Sequence, residues 1–505
     1  MRVVVCGAGT AGCVVAARLS EDPAHEVVLL EVGPHYRRGH WPAELTHSHR
    51  IIKETHDWGY LARAGASPRI VHVPRGRVVG GSSITNGAIA LRGHPEHYDE
   101  WGALVDGYGW ESWLAWFRAI ESDRDFGDAD WHGGEGPIAI SRYPRPGWLE
   151  LQERFCEAAL AAGHGWVDDH NAPEALGIGP IPLNMLDGVR QTPADHYLDP
   201  ALGRPNLELR AGVTVDRVVL EGGRARAVAV IAPQGPERID ADAVVMALGT
   251  YATPAALLRS GVGPTEELGR HGIPVTAEVP GVGRGMQDHP KVSYRFELAL
   301  EAPAWPSPWY QCLLTGAHEV GGERRVYQVM PYSGTLEGGQ RYTDLNVQVS
   351  DARSRRGIVR LQSRDPADQP AIEMGWFLEP SDRAAAVAAG QRLLEVARTP
   401  PLADVLTPWP GLDDPDQVLR TVETFHHPVG SCRMGRPDDP EAVVDAAGRV
   451  RGTEGLWVMD ASVIARVPSA NTHLAVIALA ERLAAAFGGA GEQPPARPSA
   501  ERDAT

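Results

Sequence analysis

A glycine-rich turn between an apolar strand and a helix leaves this chain few choices of fold. The stretch RVVVCGAGTAGCVVAARLS predicts a strand over Arg2–Cys6 and a helix from about Thr10 to Ser20. The apolar run that follows predicts a second strand over Glu26–Leu30. A strand, a helix and a strand in this order form a βαβ unit, which belongs to a parallel sheet with helices on its faces.

The turn carries the spacing of a dinucleotide-binding site. Gly7, Gly9 and Gly12 form G-x-G-x-x-G, in which the first glycine permits the tight turn, the second lets a pyrophosphate approach the backbone, and the third allows close helix packing. Glu31 ends the second strand, where an acid is expected to bind the adenosine ribose hydroxyls. With Thr10 and Ala11 these residues predict the phosphate and ribose contacts of a cofactor, but they do not choose between NAD and FAD.

Two further segments favour FAD. PRGRVVGGSSITNG, residues 74–87, lies outside a simple nicotinamide-binding repeat, and its glycines and short polar side chains suit a long cofactor. The predicted contacts in it are Gly80, Gly81, Ser82, Asn86 and Gly87. ADAVVMALGTYATPAALLRSGVG adds an apolar strand that ends near a glycine and continues into a helix. Each segment alone is compatible with a turn that binds nothing, whereas together they indicate FAD.

Composition excludes several other classes of function. The chain has 505 residues, with 48 Lys and Arg against 65 Asp and Glu, so its net charge of -17 opposes binding to nucleic acid and to anionic membranes. The five cysteines are scattered and show no C-x-x-C pair, which argues against a disulfide framework or a structural zinc site. No apolar stretch is long enough for a signal peptide or a membrane span. We therefore expect a soluble, cytoplasmic protein.

Near the C-terminus, TFHHPVGSCRMG raises the question of a metal site, a catalytic base or packing. Adjacent residues in extended chain point to opposite sides, so His426 and His427 are poorly placed to bind one metal ion, and no further ligand stands at a familiar spacing. No metal is predicted. For His426 the preferred interpretation is a core or surface histidine with satisfied hydrogen bonds, and Cys432 is interpreted as small buried packing.

Taken together, these segments resemble the glucose-methanol-choline (GMC) family of FAD-dependent oxidoreductases over nearly the whole chain. Its first long motif matches from Gly76 to Asp99 and its second from Gly249 to Gly263, and PGVGRGMQDHP and GIVRLQSRDPADQP are similar to recurrent family segments. Thr85 stands where covalently flavinylated members carry a histidine, so the resemblance implies non-covalent FAD.

The resemblance implies a mixed α/β and α+β fold: a Rossmann-like FAD-binding domain built from separate segments, and a substrate domain of antiparallel sheet backed by helices. Period-two alternation in TDLNVQVS and GIVRLQS, and a helix over Ser381–Arg398 that begins with capping residues, agree with such a substrate domain. The expected segments are 1–150, 201–288 and 421–487 for FAD binding, the last also carrying the active site; 151–200 and 289–420 for the substrate domain; and 488–505 for a disordered tail.

The resemblance also assigns a reaction. It places His427 over the reactive edge of the flavin. There His427 would be the base that removes the hydroxyl proton while a hydride leaves the adjacent carbon for flavin N5. A histidine near its ordinary pKa of about 6.5 can take that proton at neutral pH. Asn471 would donate a hydrogen bond to the substrate oxygen, although an Asn at this position is also a common helix N-cap. The remaining implied FAD contacts are Val215, Asp460, Ala461 and Thr472.

The resulting hypothesis is FAD-dependent oxidation of a primary alcohol to an aldehyde, with oxygen, a quinone or another carrier reoxidising the flavin. A hydroxynitrile-lyase-type reaction without net redox turnover, and a flavin-binding protein without catalysis, are the alternatives. Trp305, Trp309 and Tyr310 either line a pocket for an aryl or apolar alcohol or pack a loop. Because the chain is short and carries Asn471, it resembles bacterial aryl-alcohol, hydroxymethylfurfural and choline-type members of the family more than fungal glucose oxidases. The sequence does not assign roles to His426 and His473, and it does not give the oligomeric state.

Overall fold

The computed structural model describes residues 1–37, 39–46, 51–301 and 310–487. The predicted tail over 488–505 lies outside the described residues, as do Trp305 and Trp309 of the aromatic segment. Among the described helices, none is both long enough and apolar enough to cross a membrane.

The strands of the described residues are β1 (Arg2–Cys6), β2 (Glu26–Glu31), β3 (Leu61–Gly65), β4 (Ile70–His72), β5 (Glu121–Asp123), β6 (Ile138–Ile140), β7 (Gly177–Pro180), β8 (Met185–Leu186), β9 (Val189–Arg190), β10 (Leu207–Ala211), β11 (Thr214–Glu221), β12 (Arg224–Ala232), β13 (Gly235–Asp240), β14 (Ala243–Met246), β15 (Val262–Gly263), β16 (Ala277–Glu278), β17 (Arg284–Met286), β18 (Pro290–Leu298), β19 (Cys312–Val320), β20 (Glu323–Thr335), β21 (Arg341–Val349), β22 (Gly357–Arg360), β23 (Ala371–Trp376), β24 (Leu406–Pro408), β25 (Glu423–Thr424) and β26 (Leu456–Val458).

The α-helices of the described residues are α1 (Thr10–Leu19), α2 (Ala43–Thr46), α3 (Ser82–Thr85), α4 (Pro95–Leu104), α5 (Trp110–Ile120), α6 (Glu150–Ala161), α7 (Asp199–Ala201), α8 (Gly249–Arg259), α9 (Thr265–Arg270), α10 (Pro380–Ala397), α11 (Pro415–Leu419) and α12 (His473–Phe487). Short 3₁₀ turns cover Arg145–Gly147, Ala403–Val405 and Ala461–Val463, and one π turn covers Ala194–Leu198.

A five-stranded parallel sheet forms the first layer, in the order β10-β2-β1-β14-β26. The central strands β1 and β14 are apolar and buried, apart from Arg2 at the start of β1, because the sheet packs against helix α1 and against strands β11 and β12. Helix α1 packs on this sheet, helix α12 packs on α1, and Arg18 of α1 pairs with Glu481 of α12 at 2.8 Å. The strands come from three stretches separated by most of the chain.

A large antiparallel sheet forms the second region, in the order β24-β18-β21-β20-β19-β7, with β25 also paired to β18. Helices α6 and α10 pack against it and bury a separate apolar core. A third sheet, β17-β22-β23-β3-β4, contributes to that same core. The predicted combination of a Rossmann-like sheet and an antiparallel sheet backed by helices is therefore confirmed.

Helix α10 begins differently from the prediction. The sequence suggested a start at Ser381 with capping side chains, whereas the helix starts at Pro380, and Glu379 at its N-cap makes no side-chain capping bond. Proline suits this first position because the N–H groups of the first helical turn have no intrahelical acceptor, so the N–H that proline lacks costs no hydrogen bond. Helix α1 agrees with its predicted bounds to within one residue.

Candidate active site

A cavity of about 720 Å³ extends from the N-terminal glycine turn to the loop that follows β25. The sequence-predicted residues that line it are Gly7, Gly9, Thr10, Ala11, Glu31, Gly81, Ser82, Asn86, Gly87, Val215, His427, Asp460, Ala461, Asn471 and Thr472. Two predicted residues, Gly12 and Gly80, do not line it. The folded chain thus brings together segments that are more than 400 positions apart in sequence.

The two glycine turns lie close together in the cavity wall. A Cβ on Gly12 would lie 1.8 Å from the carbonyl oxygen of Gly7, so Gly12 allows α1 to pack on the turn although it has no cavity surface. Gly81, at φ 54°, approaches Gly9 so closely that a Cβ would lie 2.7 Å from the Gly9 Cα. The amide of Gly80 donates to the carbonyl of Ala8 at 2.7 Å. The two loops therefore support each other beside the N-terminus of α1, where backbone N–H groups favour a phosphate.

Glu31 lies at the end of β2, in the place predicted for a ribose-binding acid. Its carboxylate accepts hydrogen bonds from the amides of Gly33 at 2.8 Å and Ala8 at 3.1 Å. Burial raises the pKa of Glu31 to about 7, although the two amides oppose that shift. The turn thus fixes the position of a buried carboxyl group that can bind hydroxyl groups in the cavity.

Asp460 connects the cavity wall to the start of α8. Its carboxylate accepts from the amide of Gly249 at 2.8 Å, from the Thr253 hydroxyl at 2.6 Å and from the amide of Ser462 at 2.8 Å. Burial raises its pKa, and these hydrogen bonds oppose the shift. Asp460 thus fixes the relative position of two cavity segments, and its contacts explain why an acid is needed there.

At the other end of the cavity three side chains form a chain of hydrogen bonds. Asn471 Nδ2 lies 3.0 Å from His427 Nε2, and His427 Nδ1 lies 2.9 Å from His289 Nδ1. Gln348 Nε2 also donates to His289 Nδ1, at 3.2 Å. Since the Gln348 amide nitrogen can only donate, His289 Nδ1 is an acceptor, and His427 must carry its proton on Nδ1. The lone pair of His427 therefore lies on Nε2, beside Asn471.

Asp288 fixes the loop that carries His427 through hydrogen bonds. Its carboxylate accepts from the amide of His427 and from the Thr424 hydroxyl, both at 2.8 Å, and Thr424 in turn accepts from the amide of His426 at 2.7 Å. His426 has φ 71°, a left-handed conformation that is uncommon for a residue with a Cβ. The hydrogen bonds on both sides offset that cost, and they fix the direction of the His427 ring.

The structure changes one premise about His427. The sequence led us to expect a pKa near 6.5, whereas burial and then the neighbouring His289, His426 and Arg75 lower the pKa of His427 well below that value. His427 is consequently neutral throughout the physiological range, and its Nε2 lone pair, which faces Asn471 Nδ2, can accept a proton. The same surroundings oppose the positive charge that proton uptake creates.

His426 does not behave as a satisfied packing histidine, so that interpretation is wrong. Its side chain lines the cavity, and its Nδ1 is buried with no hydrogen-bond partner in the described part of the chain. The extended geometry assumed for the pair fails because φ is positive at His426, so both rings face one cavity. His473 lines the same cavity, and burial lowers its pKa to about 3.

Asn471 does not cap helix α12 with its side-chain oxygen. Its Oδ1 is buried and has no partner among the described residues, while its Nδ2 meets His427. The amide group therefore keeps an unused acceptor beside the reactive end of the cavity. Thr85 also lines the cavity, as does Tyr310, the described member of the aromatic segment.

Sequence reasoning missed His289 and Arg75. His289 is in PGVGRGMQDHP, which was noted for its resemblance alone, and nothing local in that stretch indicates that β18 pairs with β25 and brings its start to His427. Arg75 lines the cavity with its Nε and one terminal nitrogen, Nη2, buried and unpartnered within the described residues. The signal available for Arg75 was its position inside the glycine-rich segment that the sequence analysis assigned to the cofactor.

Two family models match this chain, each described as GMC oxidoreductase. The N-terminal model covers residues 1–291 and the C-terminal model covers residues 352–480. The first spans the glycine turns and His289, and the second spans His427, Asp460 and Asn471.

Individual proteins match over nearly the full length. An uncharacterized GMC-type oxidoreductase of Rhodococcus erythropolis is 35% identical, covering 95% of this chain and 97% of that protein. The oxygen-dependent choline dehydrogenase 1 of Chromohalobacter salexigens is 33% identical, over 98% of this chain and 96% of its own. Pyridoxine 4-oxidase from Mesorbium loti superposes with a TM-score of 0.88 at 30% identity, over 97% of this chain and 99% of that chain. A formate oxidase, at 22% identity and a TM-score of 0.85, shares the fold.

Proposed function

The chain belongs to the GMC oxidoreductase family, and on that basis we propose that it is an FAD-dependent enzyme that oxidises a primary alcohol to an aldehyde, with His427 as the base. Relatives named for choline and pyridoxine oxidation support chemistry at a CH-OH group. The single observation that carries the proposal is the contact of Asn471 and His427 at the far end of a cavity that begins at a dinucleotide-binding turn.

The residues fit FAD. The cavity is long, it passes two glycine loops that come within contact distance of each other, and it ends at polar groups without partners in the described structure. Gly9, Gly81 and the N-terminus of α1 would hold the pyrophosphate, and Glu31 the adenosine ribose. Thr85 has no nucleophilic ring nitrogen, which favours non-covalent binding. When bound, FAD supplies the acceptor for the hydride that leaves the alcohol carbon.

Three protein side chains would handle the proton and the charge on the substrate oxygen. His427 Nε2 takes the hydroxyl proton of the alcohol, so that the oxygen can form the carbonyl as the hydride departs. The Asn471 N–H, which contacts Nε2 in the structure, can turn to the same oxygen and stabilise its developing negative charge. His289 accepts a hydrogen bond from His427 Nδ1–H and so keeps the His427 imidazole in the tautomer whose Nε2 is unprotonated.

A spectroscopic experiment tests this proposal. Purified protein loaded with FAD is kept without oxygen and mixed with primary aryl and alkyl alcohols, and the oxidised-flavin band at about 450 nm is followed. Loss of the band with formation of the aldehyde is the expected result, and its recovery rate on admission of air separates oxygen from other acceptors. An unchanged band with every alcohol, in protein that retains FAD, would contradict alcohol oxidation and favour the lyase alternative.

The lowered pKa of His427 predicts a flat pH profile for flavin reduction. The neutral fraction of an imidazole with an ordinary pKa of 6.5 falls from about 97% at pH 8 to about 24% at pH 6. Because a lowered pKa moves this loss to more acidic pH, we expect the rate of flavin reduction at saturating alcohol to change less than about two-fold over that range.

A control is needed because burial raises the pKa of the adjacent Asp288 to about 7. The profile is therefore also measured in Asp288→Asn, which keeps the shape of the side chain and removes its titration. An inflection that vanishes in this variant belongs to Asp288. Glu31, whose pKa burial also raises to about 7, is controlled in the same way with Glu31→Gln in FAD-loaded protein; an inflection at pH 6.5 or above that persists in both variants would show that His427 is not held neutral.

A further inference from the structure

The reactive end of the cavity carries positive charge. Lys291 lines it, two positions after His289 on β18, and Arg75 lines it with two buried nitrogens that have no partner in the described chain. Lys291 pairs with Glu423 at 2.9 Å, with about one fifth of its own side chain exposed. An ammonium has three donors, so this ion pair leaves Lys291 able to bind a second oxygen.

The two nearby carboxylates do not balance these cations: the buried Asp288 beside His427 has a pKa raised by burial to about 7 and carries only part of a charge at neutral pH, and Glu423 is shared. Although burial opposes it, Lys291, Arg69 and Lys53 together hold the pKa of Glu423 below its usual range. Three cations therefore share Glu423. Their field also reaches the histidine pair, because burial and then Arg75, Lys291 and Lys53 lower the pKa of His426 well below 6.5.

The other carboxylates of the cavity wall are occupied or distant from this end. Glu31 is held by the amides of Ala8 and Gly33, and Asp460 accepts hydrogen bonds from Gly249 and Thr253 of α8 and from Ser462. Asp365 and Asp368 are exposed in the loop between β22 and β23, where water screens them.

A second cavity of about 480 Å³ continues the same charge pattern on the other side of Lys291. Its wall includes Arg69, Arg295 and Arg420 together with Asp344 and Glu423. The Asp344 carboxylate is already bound by Arg295 through two hydrogen bonds, at 2.7 and 2.8 Å. The space outside Lys291 thus has a cationic excess, which attracts anions.

Apolar side chains line the cavity beside these charges. Ile89, Met330 and Phe425 belong to or pack on one small apolar core, and Tyr310 packs on it as well. An aromatic or aliphatic body can lie against this wall with its hydroxymethyl group at His427.

We propose that the alcohol oxidised here carries a carboxylate on an apolar or aromatic body, and that Lys291 binds this carboxylate. The inference rests on the proposed function and names the substrate class of the same site. A cationic alcohol of the choline type is disfavoured, because its ammonium would enter a field made by cations. A bound carboxylate would also offset the positive charges that oppose proton uptake by His427. Binding of the substrate would therefore favour removal of its hydroxyl proton.

Three alcohols of one shape test the proposal: 4-(hydroxymethyl)benzoate, benzyl alcohol and 4-(hydroxymethyl)-N,N,N-trimethylanilinium. For FAD-loaded enzyme without oxygen, we expect kcat/KM for flavin reduction to be about tenfold or more higher for the benzoate than for benzyl alcohol, and lowest for the cation. Raising NaCl from about 20 to about 300 mM should narrow these differences, because salt screens the field.

Variants assign the effect to Lys291. Lys291→Met should lower the benzoate-to-benzyl-alcohol ratio of kcat/KM by about tenfold, whereas Glu423→Gln, which frees the ammonium, should raise the ratio. Arg392→Gln makes an equal charge change at a side chain that is 57% exposed and pairs with Glu395, and it should leave the ratio unchanged. Equal ratios in all four proteins would overturn the assignment of Lys291.

Binding without turnover separates the two proposals. 4-Methylbenzoate has no hydroxyl group, and its binding is followed through the visible spectrum of the oxidised flavin. If no alcohol reduces the flavin but 4-methylbenzoate binds and Lys291→Met weakens it, alcohol oxidation is wrong and the anion site stands. If benzyl alcohol reduces the flavin and the trimethylanilinium alcohol is used as well as or better than the benzoate, the charge inference is wrong and alcohol oxidation stands.

Discussion

Replacing His427 with alanine is expected to slow flavin reduction by the alcohol by about 10²- to 10⁴-fold, the range that a positioned general base contributes. The change removes the only lone pair that Asn471 meets at this end of the described cavity, and the hydroxyl proton is left with no acceptor of matched geometry. Single-turnover absorbance at about 450 nm, without oxygen, measures the effect directly.

Two controls keep the result specific for His427. The FAD content of His427→Ala is measured from its spectrum, since the side chain lies at the end of the cavity away from the glycine turns. His164→Ala, a matched histidine change just after α6, should leave the rate unchanged. A His427→Ala variant that retains FAD and reduces it at nearly the parent rate would refute the assignment of the base.

The second large effect is expected from Gly81→Ala, which should abolish or severely weaken FAD binding. At φ 54° an added Cβ would lie 2.7 Å from the Gly9 Cα, so the methyl group would push apart the two loops that line the cavity beside the N-terminus of α1. Backbone strain at positive φ adds to the clash. We expect the ratio of flavin to protein absorbance to fall to a small fraction of the parent value.

Gly269→Ala is the matched control for this substitution. Gly269 lies in helix α9, has no positive φ, and a Cβ there would meet no atom within 4 Å. Alanine should be tolerated and should stabilise the helix by about 0.5–1 kcal/mol. Full FAD retention by Gly81→Ala, measured beside this control, would show that the two loops do not hold the cofactor.

The parts of the site that sequence could predict are those encoded locally. The strand, turn and helix that contain Gly7, Gly9 and Gly12 follow from hydrophobic periodicity and glycine spacing within 20 residues, and α1 ends one residue from its predicted end. The family resemblance added His427 and Asn471, and the fold places both at one cavity, where their roles remain a proposal.

The parts that could not be predicted depend on pairing between distant strands. His289 reaches His427 because Pro290 pairs with Thr424 across β18 and β25, a register that no local pattern encodes. His426 was misjudged because its positive φ depends on the hydrogen bond that its amide donates to the Thr424 hydroxyl, which in turn donates to Asp288. The lowered pKa of His427 likewise results from burial and from neighbours supplied by other segments.

The contact between α1 and α12 sets the order in which this molecule can mature during synthesis. Arg18 and Glu481 are 463 positions apart, so a ribosome that adds 5 to 20 residues per second leaves α1 without its partner helix for about 20 to 90 s. Strand β26 and the loops of His427 and Asn471 emerge in the same late interval. The glycine turn is therefore synthesised long before the segments that complete the cavity wall, and the site can form only after Asn471 has been added.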